Sequence, residues 1–110
     1  MSRSARRPRG VGVRRGELWT YAPQGSPRRQ LAVIVSSDGV NESSRPWLLG
    51  APISTDDPQD ILGVPVSGHG WVEAHNLSRY FRPWLREQVG ALDGETRDQL
   101  DSALQAALDL

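Results

Sequence analysis

The sequence predicts a mainly β, α+β domain: a small, strongly bent antiparallel β-barrel-like sheet with short helices and a C-terminal amphipathic helix. Three observations predict it. Short runs of β-forming residues are separated by Gly, Pro, Ser and Asp turns. One run, Leu31-Ala32-Val33-Ile34-Val35, is apolar at every position, the mark of a strand buried on both faces. One stripe at helical spacing, Leu100, Leu104 and Leu108 with Ala103 and Ala107, closes the chain.

The elements follow in order. Leu18-Trp19-Thr20-Tyr21 is a first strand, ended by the turn residues from Ala22 to Pro27. Leu31 to Val35 is the second, broken by Ser36-Ser37-Asp38-Gly39-Val40-Asn41. Trp47 to Ala51 is a third, which Pro52 should stop. Thr55 to Gln59 is a polar loop. Gly63-Val64-Pro65-Val66 and Gly70-Trp71-Val72-Glu73 are short strands around a Ser-Gly-His turn. Pro65 cannot donate to a ladder, so its strand belongs at an edge. Phe81 to Leu85 forms one further strand. Asp93 is placed to cap the last helix, with Glu95 in the first turn where the helix dipole favours an acid.

The chain has 110 residues, 37% of them hydrophobic, which supports one domain with a modest core. That domain is expected over residues 14–110. Residues 1–13 hold Arg3, Arg6, Arg7 and Arg9 among Ser, Gly and Pro and are expected to form a disordered arm. Six Arg and no acid occupy the first 15 residues, which leaves seven Arg against 13 acids in the rest. A basic start, a mixed middle and an acidic end do not describe a uniformly basic nucleic-acid binder. The arm's plain reading is a solvated tail, and its functional one is sequence-independent phosphate binding. No apolar run is long enough to span a membrane.

Chemistry is narrowed mainly by exclusion. With no Cys there is no disulfide scaffold, thiol nucleophile or thiolate metal site, as suits a reducing cytoplasm. His69 and His75 lack further ligands at metal-binding spacing, so no metal and no cofactor is expected. No phosphate-cradling glycine motif and no nucleophile elbow is present. Polar residues remain at strand ends: Arg28 and Arg29 before the second strand, Ser54 and Thr55 after the third, Glu73, His75 and Asn76 after the fifth. A bent sheet gathers such ends at one rim.

The order of segments resembles the MazF/PemK (Kid) type II toxins. Arg15-Gly16-Glu17-Leu18-Trp19 is similar to that family's Arg-Gly-acid-aliphatic-aromatic opening. Arg29 to Val35 followed by Ser37-Asp38-x-x-Asn41 resembles its Arg-Pro-aliphatic strand and Asn-Asp-x-x-Asn turn. Leu49-Gly50-Ala51-Pro52-Ile53-Ser54-Thr55 resembles its third strand ending in Pro-Ile-Thr. Val72 to Leu77 and Gly90 to Leu104 occupy the places of its Val-x-x-Asp-Gln-Ile segment and closing helix. The resemblance implies a toxin restrained by a cognate antitoxin peptide. It implies a homodimer that cleaves single-stranded RNA sequence-selectively and without metal, by attack of a ribose 2′-OH. The residues it assigns to catalysis are Arg29, Ser54, Glu73 and His75, with Arg28, Gln30, Thr55 and Asn76 binding RNA. The chain departs from the family's pattern: Gln30 fills the arginine slot when counted back from Asp38, Ser54 replaces Thr, and Glu73 and His75 stand where some members carry an Arg and an Asp as acid and base. A second reading therefore stays open, a catalytically degenerate or CcdB-like protein that binds RNA, an antitoxin or a protein target without cleavage. Independently, Trp47, Trp71 and Trp84 with Leu48 and Leu85 exceed what so small a core hides, which also points to a dimer.

Overall fold

The structure, a computed structural model, describes residues 12–109. Its strands are β1 (Glu17–Tyr21), β2 (Gln30–Ile34), β3 (Trp47–Ser54), β4 (Gly63–Val66), β5 (Gly70–Glu73), β6 (Ser78–Phe81) and β7 (Leu85–Ala91). Two α-helices, α1 (Asp38–Asn41) and α2 (Gly94–Leu108), and a 3₁₀ turn at Arg82–Trp84 complete it. All pairings are antiparallel, in the order β4-β5-β3-β2-β1-β7. The start of β3 pairs with β6 and its end with β5. One long strand thus serves two partners on the same side, and the sheet bends where they change over.

Two expectations about strands need correction. β3 does not stop at Pro52 but runs on to Ser54. Hydrogen bonding alternates along a strand, and Leu49 is the residue that faces β2, its carbonyl accepting from Val35 N–H at 2.9 Å. Ala51 and Ile53 therefore also face β2. The missing donor of Pro52 turns to the other side, at the junction between β6 and β5, where no ladder bond is lost. The strand expected over Phe81 to Leu85 is instead the end of β6, the 3₁₀ turn and the start of β7. β7 hides from a periodicity reading because its sequence is polar and its pairing with β1 shifts register twice. Pro65 lies on β4, a terminal strand of the order, as its missing donor requires.

The core has two parts, one on each face of the sheet, which is why β2 is apolar from Leu31 to Ile34. Leu18, Val33, Ala51, Val64 and Val72 pack beneath Leu100 and Ala103 of α2. Trp19, Tyr21, Ala32, Ile34, Leu48, Tyr80 and Leu85 form the other part. The Asp93 carboxylate accepts from Thr96 N–H at 2.8 Å, which satisfies one open donor of α2. Leu108, the last of the helical stripe, is half exposed.

The arm expected over residues 1–13 lies outside the described residues as far as residue 11. Val13 is 1% exposed and belongs to the Trp19 core. Leu48 and Leu85 are wholly buried, so the surplus apolar surface is smaller than counted from sequence. Among the described residues the exposed large apolar side chains are Trp47, Leu49, Ile61 and Leu108, and Trp47 and Leu49, 40% and 46% exposed, are the two that share one strand. Among the described residues no helix is long and apolar enough to cross a membrane.

Candidate functional site

Residues opposite one another in a ladder share a face, and faces alternate along each strand. Ser54 stands opposite Trp71, and Ile53 opposite Val72. Glu73, two residues on from Trp71, is therefore on Ser54's face and diagonal to it, roughly 7–8 Å away in a regular ladder. On the other side Ala32 pairs with Pro52, and the same register carried two residues further sets Gln30 across from Ser54. Gln30, Ser54, Trp71 and Glu73 thus line one face around Pro52. That face continues into the Trp19–Tyr80 core. Burial pushes the Tyr80 phenol up to about 12, and the neighbouring Tyr21 and the Glu73 carboxylate add to the shift.

The remaining candidate residues lie in the segments that flank these strands. Arg28 and Arg29 are exposed just ahead of β2, after a turn in which Arg28 N–H donates to Ser26 Oγ at 3.2 Å. Gln30 is the β2 residue that shares Ser54's face, and Arg29 precedes the strand, where sheet alternation no longer fixes its direction. Ser54 Oγ accepts from Asp56 N–H at 3.0 Å, which leaves its own proton available to donate. Thr55 is exposed beside it. His75 and Asn76 are exposed in the turn after β5, which Asn76 N–H closes by donating to the Glu73 carbonyl at 3.0 Å. The face thus gathers a hydroxyl, a carboxylate, an amide and an indole, while Arg28, Arg29 and His75 are exposed in the segments next to its strands. Among the described residues no group of three or more His, Asp or Glu is arranged to hold a metal.

Other segments, in the chain's opening and in the turn after β2, have structural work. Glu17, 7% exposed, accepts from Arg14 N–H at 2.9 Å and from the Trp19 indole at 3.1 Å. Gly16, at φ +87°, adopts a left-handed conformation that a side chain would strain. It joins two elements, its N–H donating to Ile34 O and its carbonyl accepting from Leu92 N–H. In the turn after β2, Ser37 caps α1 and buried Asn41 binds both Ser36 and Asp38. Asp38 accepts from Arg15 N–H at 2.7 Å. That bond, then the one from Asn41, holds its carboxyl below the usual value of 3.8. These motifs brace β1 against β2, and Ser36 N–H, donating to Leu49 O at 3.2 Å, ties the end of β2 to β3.

Trp71, counted in the sequence among surplus apolar residues, is the addition the structure makes to this face. The signal for it lies in the β3–β5 register, which cannot be read once β3 is taken to stop at Pro52.

Residues 14–108 match the family described as PemK-like, MazF-like toxin of type II toxin-antitoxin system. Comparison with curated proteins finds no match. Among solved structures, the chain is similar to an endoribonuclease in complex with its cognate antitoxin from a mycobacterial species. There the identity is 20% and the TM-score 0.81, over 90% of this chain and 97% of that one. It is also similar to the Mycobacterium tuberculosis toxin MazF-mt6, at 20% identity and TM-score 0.75 over 86% and 97% of the two chains. MazF from Deinococcus radiodurans gives 16% identity and TM-score 0.72 over 89% and 97%. At these identities the likeness is one of fold. The family match spans nearly the whole domain, and the chain belongs to the PemK-like, MazF-like toxins of type II toxin–antitoxin systems.

Proposed function

We propose that this toxin is a metal-independent endoribonuclease that cleaves single-stranded RNA at selected sequences. The observation that carries the reading is the Ser54–Glu73 pair, which shares its face with Gln30, the residue that Arg28 and Arg29 immediately precede in the chain. In the reaction the ribose 2′-oxygen bonds to the adjacent phosphorus and the bond from phosphorus to the 5′-oxygen breaks. A base takes the 2′-OH proton and an acid supplies one to the leaving oxygen. Glu73 and His75 are the two proton-transfer groups. Ser54 donates its free hydroxyl proton to a non-bridging oxygen, where charge grows in the transition state. Arg29 holds the phosphate, a bidentate role suited to a guanidinium and not to an ammonium. Arg28, Gln30, Thr55 and Asn76 hold the flanking RNA. The proposed partners are the RNA substrate, a cognate antitoxin peptide and a second copy of the chain, and the proposed setting is the cytoplasm.

Incubation of the purified protein with a long RNA in EDTA tests this reading. Discrete fragments with reproducible ends are expected. RNA that stays intact at micromolar protein contradicts it. One observation favours a second reading: the strand residue opposite Ser54 is the neutral Gln30. A protein that holds RNA there without cutting it would retard the RNA on a gel and leave it whole.

A further inference from the structure

Apart from Thr55, the groove beyond Ser54 holds no residue that the proposed function uses. It is lined by Thr55, Pro65, Gly68, His69 and Trp71 and has a volume of about 410 Å³. Its floor is built to stay in place. Gly70, at φ +125°, lies so close to the Ser54 carbonyl that a side chain there would collide with it. The β4–β5 turn, closed by His69 N–H donating to Val66 O at 3.0 Å, is thus pressed against the end of β3. Trp71 is left half-buried, opposite Ser54 and paired on its other side with Pro65. A rigid, partly exposed indole next to a phosphate-binding hydroxyl is a platform for a flat ring, since base–aromatic stacking needs only a free face and a fixed plane.

We propose that Trp71 stacks on the nucleobase next to the cleaved phosphodiester, with His69 and Thr55 at the rim of the same groove to meet that base's polar edge. The proposal rests on the RNA-cleaving reading and adds to it a base subsite that places the scissile phosphate over Ser54. Trp71 is on this account a substrate-binding residue and takes no part in proton transfer.

The test uses the full chain and a short single-stranded RNA spanning a mapped cut, protected by a 2′-O-methyl group at that cut. Trp71→Ala should weaken its binding roughly 5- to 150-fold, the range for losing one base–aromatic stack, and Trp71→Phe should restore most of it. With unaltered protein, replacing one base beside the cut by an abasic nucleotide should cost a similar factor. Against Trp71→Ala the same replacement should cost almost nothing further. Equal binding by Trp71→Ala, or an abasic penalty undiminished in it, overturns the proposal. The abasic comparison with unaltered protein stands even if Trp71→Ala fails to fold, because no single sensitive position there is also a refutation. A protein that cuts nothing but binds a random-sequence RNA pool refutes the cleavage reading alone, and Trp71→Ala against that pool still tests the stack. A protein that binds no RNA refutes both.

Discussion

At the scale of single residues, His75 is separable from the fold. His75 is exposed in a turn whose closing bond is made by backbone atoms, so its side chain supports little of the core. His75→Ala should therefore shift stability by no more than about 0.5 kcal/mol, as surface changes do. Cleavage should fall about 10²- to 10⁴-fold, the usual loss on removing a positioned acid or base. A lowered melting temperature with unchanged activity per folded molecule would make His75 a structural residue instead. Asp38 gives a prediction of a different kind. Its carboxyl titrates below 3.8 in the folded protein because Arg15 N–H and Asn41 bind the charged form. A depressed carboxylate stabilises the fold fully above its unfolded value and loses that contribution as pH falls through the folded value. The wild type should thus lose the Asp38 contribution as pH falls below about 3.8. Asp38→Asn, already weaker at neutral pH, should lose less over the same interval of an acid titration followed by circular dichroism.

At the scale of elements, what could be read in the sequence depended on how cleanly each strand alternates or saturates. β2 was plain because both its faces are buried, and α2 because Leu100 and Ala103 recur at helical spacing beneath a good cap. β7 was not legible, since Arg86, Glu87 and Gln88 interrupt it and two register shifts displace its partners. Pro52 misled for a local reason: a proline is tolerated inside β3 only where the neighbouring strand changes, and no sequence pattern announces that junction. The same gap concealed part of the site. Ser54, Glu73 and Gln30 were identifiable as polar strand ends, but their common face, and Trp71 on it, follows only from the paired register. The helix is also where burial can be tested. Leu100 is 4% exposed between α2 and the sheet, so Leu100→Ala should cost about 2–5 kcal/mol in urea unfolding. A loss below about 1 kcal/mol would mean that α2 is held mainly by its cap and by the Arg15–Asp101 pair at 2.8 Å.

At the scale of the whole molecule, α2 covers one face of the sheet over β4 and leaves the other end of that face open. There Trp47 and Leu49 are exposed on β3, Phe81 pairs opposite Trp47, and the Arg79 guanidinium lies 4.7 Å from the Trp47 ring centroid. This is the surface on which the proposed dimer would form. Light scattering should give twice the chain mass at micromolar concentration, and Trp47→Ser should lower it without unfolding the protein. A wild-type mass equal to one chain would contradict the dimer.

The central claim is that the Ser54 face directs a 2′-OH against its own phosphodiester. The most direct measurement is the chemistry of the ends it makes, on paired RNA substrates with and without the 2′-OH at a mapped cut, in EDTA. The account predicts a 2′,3′-cyclic phosphate on one fragment, a 5′-OH on the other, and no cleavage when that single hydroxyl is absent. Fragments bearing 5′-phosphates, or cutting that persists at the 2′-deoxy position, would contradict it.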